Sequence, residues 1–203
     1  MQKTKRAAYH HGDLPRVLLA SAVEVLDERG PDGFSLREVA RRADVAAAAP
    51  GHHFGNVAGL LTAVATKSFE HLLADFARAS EATHPGRERV TALSLAYVRH
   101  YLKRPGMASV MFRSELLNAA DLGLVQARND LREALVSAVQ SALPASVPQQ
   151  HVEDTATAVW TLTHGHIALG MQDTEDLTRK IAFAVDALLS GATCSTGKKT
   201  KRS

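Results

Sequence analysis

The feature of this sequence that most constrains its fold is a pair of short helical segments separated by only a few residues. Residues 35–38 read Ser-Leu-Arg-Glu, a capping box in which Ser35 can accept the backbone N–H of Glu38 and Glu38 can reach back. After a few more residues, an alanine-rich stretch at 46–49 opens a second helix. Asp44 lies in the turn, and Asp is one of the few non-glycine residues that tolerate a left-handed conformation. Two short helices joined by so tight a turn predict a helix-turn-helix.

Apolar residues recur at steps of three or four along the rest of the chain, which is the period of amphipathic helices. The first helix begins near Asp13, a good N-cap residue, and Gly and Pro clusters separate the helices that follow. One short helix is predicted to hold the apolar residues between Val110 and Leu117. The pattern predicts an all-α protein of about nine helices without a strand.

Composition sets limits on the class of protein. With 203 residues, 45% of them hydrophobic and 22% charged, the chain is an ordinary globular protein, either one domain or a small module joined to a larger one. The net charge of +3 makes nucleic acid a possible partner, although much of the excess lies in the two tails. No segment has the roughly 20 apolar residues of a membrane helix and the start lacks a signal peptide, so we expect a cytoplasmic protein with no membrane partner.

The sequence contains none of the residue patterns that support catalysis or metal binding. There is no glycine-rich phosphate loop and no nucleophile with a recognisable helper, so no enzyme is expected. Cys194 is the only cysteine, and it lies in a polar tail. His164 and His166 diverge by about 200° on a helix and cannot chelate one metal together. We predict no cofactor and no metal site.

Several segments in the N-terminal third resemble the TetR family of bacterial transcriptional regulators. They are Tyr-His-His-Gly-Asp-Leu at 9–14, Phe-Ser-Leu-Arg-Glu-Val-Ala-Arg-Arg-Ala at 34–43, Asp-Val-Ala at 44–46, Pro-Gly-His-His-Phe at 50–54 and Leu-Leu-Thr-Ala-Val at 60–64. Their order along the chain makes the resemblance specific. In addition, Trp160 to Gly165 resembles the Trp-His-Gly (WHG) signature of one C-terminal subgroup.

The resemblance implies a ligand-responsive regulator, usually a repressor, that binds a pseudo-palindromic operator in double-stranded DNA as a homodimer. A small molecule bound in the larger domain would release the DNA. The implied domains are a flexible basic arm at 1–12, a helix-turn-helix DNA-binding domain at 13–56, a ligand-binding and dimerisation domain at 57–190 and a disordered basic tail at 191–203. The alternative is a helical dimer that binds a small molecule and whose DNA-binding head is weakened or decayed.

DNA contacts are expected from helix N-termini, groove-facing side chains and the basic arm. Arg37 matches a family position that points to the groove and can read guanine, its alternative being a solvated charge. Ser35 either contacts phosphate or only caps its helix. The predicted DNA-contacting residues are Lys5, Arg6, Ser35, Arg37, Ala46, Ala47, Ala48, Ala49, Gly51, His52 and His53.

Three positions depart from the family pattern. Gly51 replaces a phosphate-contacting Tyr, Ala46 a capping Ser or Thr, and Val57 a Lys or Arg. Because phosphate contacts supply much of the affinity for DNA, we predict weaker and less salt-sensitive binding than a typical member shows.

Aromatic, Met and polar residues of the larger domain are candidates for an effector site, although such residues more often belong to the core. Glu115 would fix a cationic or hydrogen-bonding group if it faced inward, and would otherwise be solvated. His164 is expected to bond a buried partner. The candidates are Tyr97, Tyr101, Met111, Phe112, Glu115, Trp160 and His164.

The last two helices are predicted to form the dimer interface. Their apolar stripes include small residues, which suit close packing of two helices per subunit into a four-helix bundle. The small residues are Ala156, Ala158, Ala182, Ala184 and Ala187.

Overall fold

The computed structural model describes residues 14–170 and 174–194, and over these ranges it contains nine α-helices, one 3₁₀ helix and no strand. The α-helices are α1 (Leu14–Arg29), α2 (Leu36–Arg42), α3 (Ala49–Phe54), α4 (Val57–Glu81), α5 (Arg87–Lys103), α6 (Pro105–Ala108), α7 (Leu122–Ala142), α8 (Gln149–Ala168) and α9 (Thr174–Cys194); the 3₁₀ helix is Ser114–Leu116. The predicted all-α fold is confirmed.

The chain divides into two compact units. The first contains the described residues up to 68 together with 104–124, and the second contains 69–103 and the described residues from 125 onward. The boundary therefore divides α4 after Ser68, whereas the sequence places a domain boundary before Val57. The assignment of DNA binding and ligand binding to particular ranges stays a prediction.

In the first unit, α1 packs against α2 and α6 through an apolar face with a helical period. The buried residues Leu18, Ala22 and Val25 lie on this face of α1, and Val39 belongs to the buried side of α2. A polar contact supports the packing, because the backbone N–H of Gly106 in α6 donates to Asp27 Oδ1 at 2.6 Å. Helix α1 thereby holds both α2 and α6 in place.

The structure differs from the predicted helix between Val110 and Leu117. Helix α6 ends at Ala108, and the chain continues in tight turns, in which the N–H of Met111 donates to the carbonyl of Ala108. An apolar run packs equally well in buried turns and in a helix, so periodicity alone does not distinguish them. The predicted helix was therefore wrong.

In the second unit, α5, α8 and α9 pack against one another. Each contributes a stripe of buried residues at helical spacing, and the stripes form the core of this unit. The stripes comprise Val90, Leu93 and Tyr97 of α5, Val152, Ala156 and Val159 of α8, and Leu177, Ile181, Val185 and Leu189 of α9. In the part of the chain that the structure describes, no helix is both long and apolar enough to span a membrane.

Candidate nucleic-acid interface and effector site

Helices α2 and α3 form the helix-turn-helix. Ser35 precedes α2 in an extended conformation (φ −148°, ψ 141°), and its Oγ accepts the N–H of Glu38 at 3.2 Å. The turn contains Asp44 at a φ of 52°, in the left-handed region, and the N–H of Val45 donates back to the carbonyl of Ala40. The Ser35 cap and the left-handed turn follow the expectation from the sequence. The other half of the capping box does not, because the Glu38 carboxylate binds Arg29, Arg41 and Arg42 rather than the Ser35 N–H.

The alanine run lies mostly outside α3. Ala46, Ala47 and Ala48 are exposed and precede the helix, which begins at Ala49. Pro50 lacks an N–H and is accommodated only in a first turn, so it fixes the helix start more firmly than alanine propensity does. The prediction that the alanine stretch at 46–49 opens the second helix was therefore wrong for Ala46 to Ala48, and the exposed α3 side chains are those of His52 and His53.

The helix-turn-helix region has an unusual balance of charge. Residues 13–56 carry five arginines, no lysine and seven carboxylates. Arg37 is exposed and takes part in no ion pair among the described residues. Lys5 and Arg6, the other predicted basic DNA contacts, lie outside the described residues.

Three arginines of this region are held by carboxylates of α1 and α2. Glu38 accepts from Arg41 through both oxygens (Nη2–Oε1 2.7 Å, Nε–Oε2 2.9 Å) and also from Arg29 and Arg42. Arg42 in turn makes a bidentate pair with Glu28. Hydrogen bonds from Arg41, and then from Arg42, lower the pKa of Glu38 to about 2. We name these five residues the Glu38 network.

The structure also describes two of the positions that depart from the family pattern. Gly51 is half-buried in α3, and a Cβ added there would meet no atom within 4 Å. Val57 begins α4 and is 41% exposed. The side chain of Asn56 caps α4, since its Oδ1 accepts the N–H of Gly59 at 2.9 Å. A side chain at position 51 therefore meets no obstacle at its Cβ, and position 57 is open to solvent.

Three of the effector-site candidates come together in the second unit. The Tyr97 hydroxyl and His164 Nδ1 are hydrogen-bonded at 2.7 Å, and the Tyr97 and Trp160 ring centroids lie 4.5 Å apart. Burial raises the pKa of the Tyr97 phenol, so it stays protonated and its O–H can donate to His164 Nδ1. The bonded partner expected for His164 is therefore Tyr97.

The cavity beside this cluster is very small. Its volume is about 10 Å³, which is roughly the space of one water molecule. Its lining consists of Phe76, Ser94, Tyr97, Leu135, Val159, Trp160 and Thr163. A ligand of ordinary size needs several hundred cubic ångströms, so this conformation has no room for one.

The remaining candidates do not join the cluster. Tyr101 is half-buried in α5, while Met111, Phe112 and Glu115 belong to the first unit. Met111 is fully buried. Glu115 is exposed in the 3₁₀ helix and pairs with Arg113, which lowers the Glu115 pKa. The inward-facing alternative for Glu115 was therefore wrong. Its carboxylate is exposed and is neutralised by Arg113 rather than aimed into the core.

Sequence reasoning did not find the Glu38 network or the buried pair of His100 and Asp75, whose Nδ1 and Oδ2 are 3.2 Å apart. A partial signal for the network was present, because Glu38 stands three and four residues before Arg41 and Arg42. The links to Arg29 and Glu28 required the packing of α1 on α2.

The fold and the paired helices define a helix-turn-helix DNA-binding protein built wholly of helices in its described parts. Residues 18–64 match the family model of bacterial regulatory proteins of the tetR family, and residues 90–191 match the model of the tetracyclin repressor-like C-terminal domain. The chain belongs to the TetR family. Its members are transcriptional regulators rather than enzymes. The match does not name the Trp-His-Gly subgroup, so that assignment stays a prediction.

Solved structures share this fold over most of the chain. A protein of unknown function from Rhodococcus sp. RHA1 is 32% identical, with 92% of this chain and 98% of that chain covered at a TM-score of 0.75. The TetR family regulator PfmR from Thermus thermophilus is 19% identical (85% and 97% covered, TM-score 0.66). The fatty acid degradation regulator FadR from Bacillus halodurans is 15% identical (92% and 97% covered, TM-score 0.67). A search of curated proteins found no match.

Proposed function

We propose that this TetR-family regulator is a ligand-responsive repressor that binds a pseudo-palindromic operator as a homodimer. The observation that carries the proposal is the helix-turn-helix, in which a left-handed Asp44 separates α2 from an α3 with exposed histidines. In this motif the second helix enters the major groove. Two copies related by a two-fold axis then read the two halves of one site.

Within this proposal, sequence choice depends chiefly on Arg37 and His52. The Arg37 guanidinium is free of internal ion pairs in the described chain, so it can donate two hydrogen bonds to guanine without breaking an existing one. His53 and Ser35 contact the phosphate backbone. Ala46 to Ala49 contribute only apolar contacts with thymine methyl groups and close approach of the main chain. Lys5 and Arg6 reach the minor groove from the arm.

The effector site we propose is the cluster of Tyr97, Trp160 and His164. An effector suited to it has a flat apolar body that packs against the rings and a polar group that takes over the hydrogen bond between Tyr97 and His164. Because the cavity holds only about 10 Å³, ligand binding requires the rings to separate. That movement is the conformational change expected to reduce DNA affinity.

The homodimer interface we propose is formed by α8 and α9. The outer surface of α9 carries Phe183, which is 75% exposed, on the side opposite the buried Ile181 and Val185. Leu169, directly after α8, is 76% exposed. Two large apolar side chains left exposed near the end of the chain favour burial against a second copy.

The experiment that tests the proposed function is footprinting of the full chain on the DNA that flanks its own coding region. A protected palindrome with half-sites about one helical turn apart, or a multiple of it, is expected. Candidate effectors are then screened by the fluorescence of Trp160, the only tryptophan, whose ring lies against that of Tyr97 at a centroid distance of 4.5 Å. A compound that changes this fluorescence and also removes the protection identifies the effector.

A second candidate function is a small-molecule-binding dimer with a weakened DNA-binding head. Two observations favour it: the carboxylates of residues 13–56 outnumber the arginines, and Ala48, the N-cap of α3, makes no side-chain hydrogen bond. A folded dimer that binds ligand through Trp160 but protects no palindrome would support this candidate against the first.

A further inference from the structure

An open cleft of about 360 Å³ lies beside α2 in the first unit. Arg37 and Arg41, four residues apart on one face of α2, line it together with Arg29, the last residue of α1. The rest of the lining is Ser35, Glu38, Ala40, Val45 and Ala47. We call it the α2 cleft. It is large enough for a phosphodiester group, and its lining combines three guanidinium groups with one carboxylate.

The three arginines bound to Glu38 differ in how firmly they are held. Arg42 has a side chain only 14% exposed and is anchored by its bidentate pair with Glu28. Arg41 is 68% exposed, and among the described residues its guanidinium pairs with Glu38 alone. Arg29 is 48% exposed and donates a single hydrogen bond to Glu38. Arg41 is thus the most exposed of the three, and its guanidinium is the one most open to an incoming phosphate.

Glu38 can lose Arg41 without becoming an unpaired carboxylate. Its Oε1 also accepts from Arg29 Nη2 at 3.1 Å and from Arg42 Nε at 3.2 Å. Since the Glu38 side chain is 12% exposed, an unpaired charge there would be costly, and these two partners remove that cost. Ser35 adds a donor to the cleft, because its oxygen accepts the N–H of Glu38 while its own O–H stays available.

We propose that the α2 cleft binds a backbone phosphate of the operator by an arginine exchange. The Arg41 guanidinium leaves Glu38 and pairs with a phosphate oxygen, Ser35 donates its O–H to the same phosphate, and Glu38 keeps Arg29 and Arg42. In the free protein Glu38 masks the charge of Arg41. This inference rests on the DNA binding proposed above and adds a contact that the TetR-like pattern of residues does not imply.

The first test measures the salt dependence of DNA binding by fluorescence anisotropy. The probe is a random-sequence duplex of roughly 30 base pairs, long enough for two half-sites. For Arg41→Ala, the slope of log affinity against log salt is expected to become shallower by about 0.9 for each subunit that contacts DNA. Arg41→Lys keeps the charge and is expected to keep the wild-type slope.

Arg78→Ala is the matched control. Arg78 is 64% exposed and pairs with Asp75, three residues before it in the chain. Like Glu38, Asp75 binds more than one partner, because it also contacts the buried His100. The loss of Arg78 should leave the salt slope unchanged. A wild-type slope for Arg41→Ala, in protein whose thermal unfolding matches that of the control, overturns the exchange.

The second test separates the release of Arg41 from a general change of charge. Glu38→Gln is expected to bind the random duplex severalfold more tightly, because it frees Arg41. In an Arg41→Ala background, the same Glu38→Gln change should give no such gain. An equal gain in both backgrounds overturns the exchange, since it would reflect only the lost negative charge.

The two proposals fail in different ways. If the wild-type chain binds no DNA at low salt, the proposed function and the exchange are both wrong. If it binds DNA with the same salt slope as Arg41→Ala, the exchange alone is wrong.

Discussion

Asp44 adopts a backbone conformation that few residues other than glycine accept, with a φ of 52° in the turn between α2 and α3. The left-handed region brings Cβ close to the following carbonyl, and Asp tolerates this because its short polar side chain can form local hydrogen bonds. The turn determines where α3 begins relative to α2, so this single residue affects the reading surface.

We expect Asp44→Ala to lower the free energy of unfolding by about 1 kcal/mol, because Ala has the same Cβ clash without the compensating polar group. Asp44→Gly is the control and should stay within about 0.5 kcal/mol of wild type, since relief of the clash offsets the greater freedom of the unfolded chain. Urea denaturation of the three proteins measures this. Equal losses in Ala and Gly would show that the Asp side chain, and not the backbone conformation, determines the stability of the turn.

Gly51 is the position at which the proposed DNA contacts can be strengthened. A side chain there meets no atom within 4 Å at its Cβ, and its φ is not in the left-handed region. We expect Gly51→Tyr to tighten operator binding by about tenfold, because a hydroxyl bonded to a charged phosphate contributes roughly 1.5 kcal/mol. Gly51→Phe differs only in the hydroxyl and should bind more weakly than Gly51→Tyr. Identical operator affinities of the Gly51→Tyr and Gly51→Phe variants would favour the alternative in which the DNA-binding domain is weakened or decayed.

At the scale of elements, the Glu38 network joins α1 to α2. Arg42 lies on α2 and Glu28 on α1, so their bidentate pair fixes the crossing of the two helices. Glu24 lies beside the network, with its Oε2 3.8 Å from Arg42 Nη1. When Glu24 is included, the cluster contains three arginines and three carboxylates. Such a cluster has no net charge at neutral pH, so it can stabilise the packing of α1 on α2 without charge repulsion.

The network gives the stability of the chain a defined acid dependence. The pKa of Glu38 is about 2 in the folded chain, against an ordinary value of 4.5. The stabilisation is therefore fully present above pH 4.5 and is lost as the pH falls from 4.5 towards 2. Glu38→Gln has no carboxylate to protonate, so its free energy of unfolding should fall less steeply with pH in this window. Parallel curves for the two proteins, measured by denaturant titration, would contradict the assignment.

The helices of this protein differ in how well the sequence defines them. The Ser35 cap and the turn at Asp44 were predictable because both depend on contacts within a few residues along the chain. The start of α3 was not, because the helix propensity of four alanines suggested an earlier start than the one set by Pro50. The Glu38 network was only partly predictable, since Arg42 and Glu28 are 14 residues apart and meet only after α1 and α2 pack.

The candidate effector site shows the same division between local and long-range information. Tyr97 and His164 are 67 residues apart, and their hydrogen bond depends on how α5 and α8 pack. Residue types marked them as candidates, yet the same types marked Glu115, which is exposed and paired with a neighbour. A list of aromatic and polar residues does not reveal which of them share a cavity.

At the scale of the whole molecule, the exposed apolar residues of the last two helices bear on the oligomeric state. We expect Phe183→Glu to convert the dimer to a monomer at micromolar concentration, because an unpaired carboxylate in an apolar contact is costly. Light scattering with size-exclusion chromatography measures the mass. Leu122→Glu is the control, since Leu122 is 84% exposed at the start of α7 and outside the proposed interface. A dimeric Phe183→Glu variant would argue against an interface through α9.

The near-balance of charge in residues 13–56 has a consequence for how such a regulator finds its site. A genome offers on the order of a million or more competing sequences, and most regulators spend their time bound to them through phosphate contacts alone. A DNA-binding domain whose arginines mostly pair with its own carboxylates makes fewer phosphate contacts, so it binds these competing sequences more weakly. Occupancy of a specific DNA site is then governed by the ratio of specific to non-specific affinity, so a few molecules with modest absolute affinity suffice to keep one site occupied.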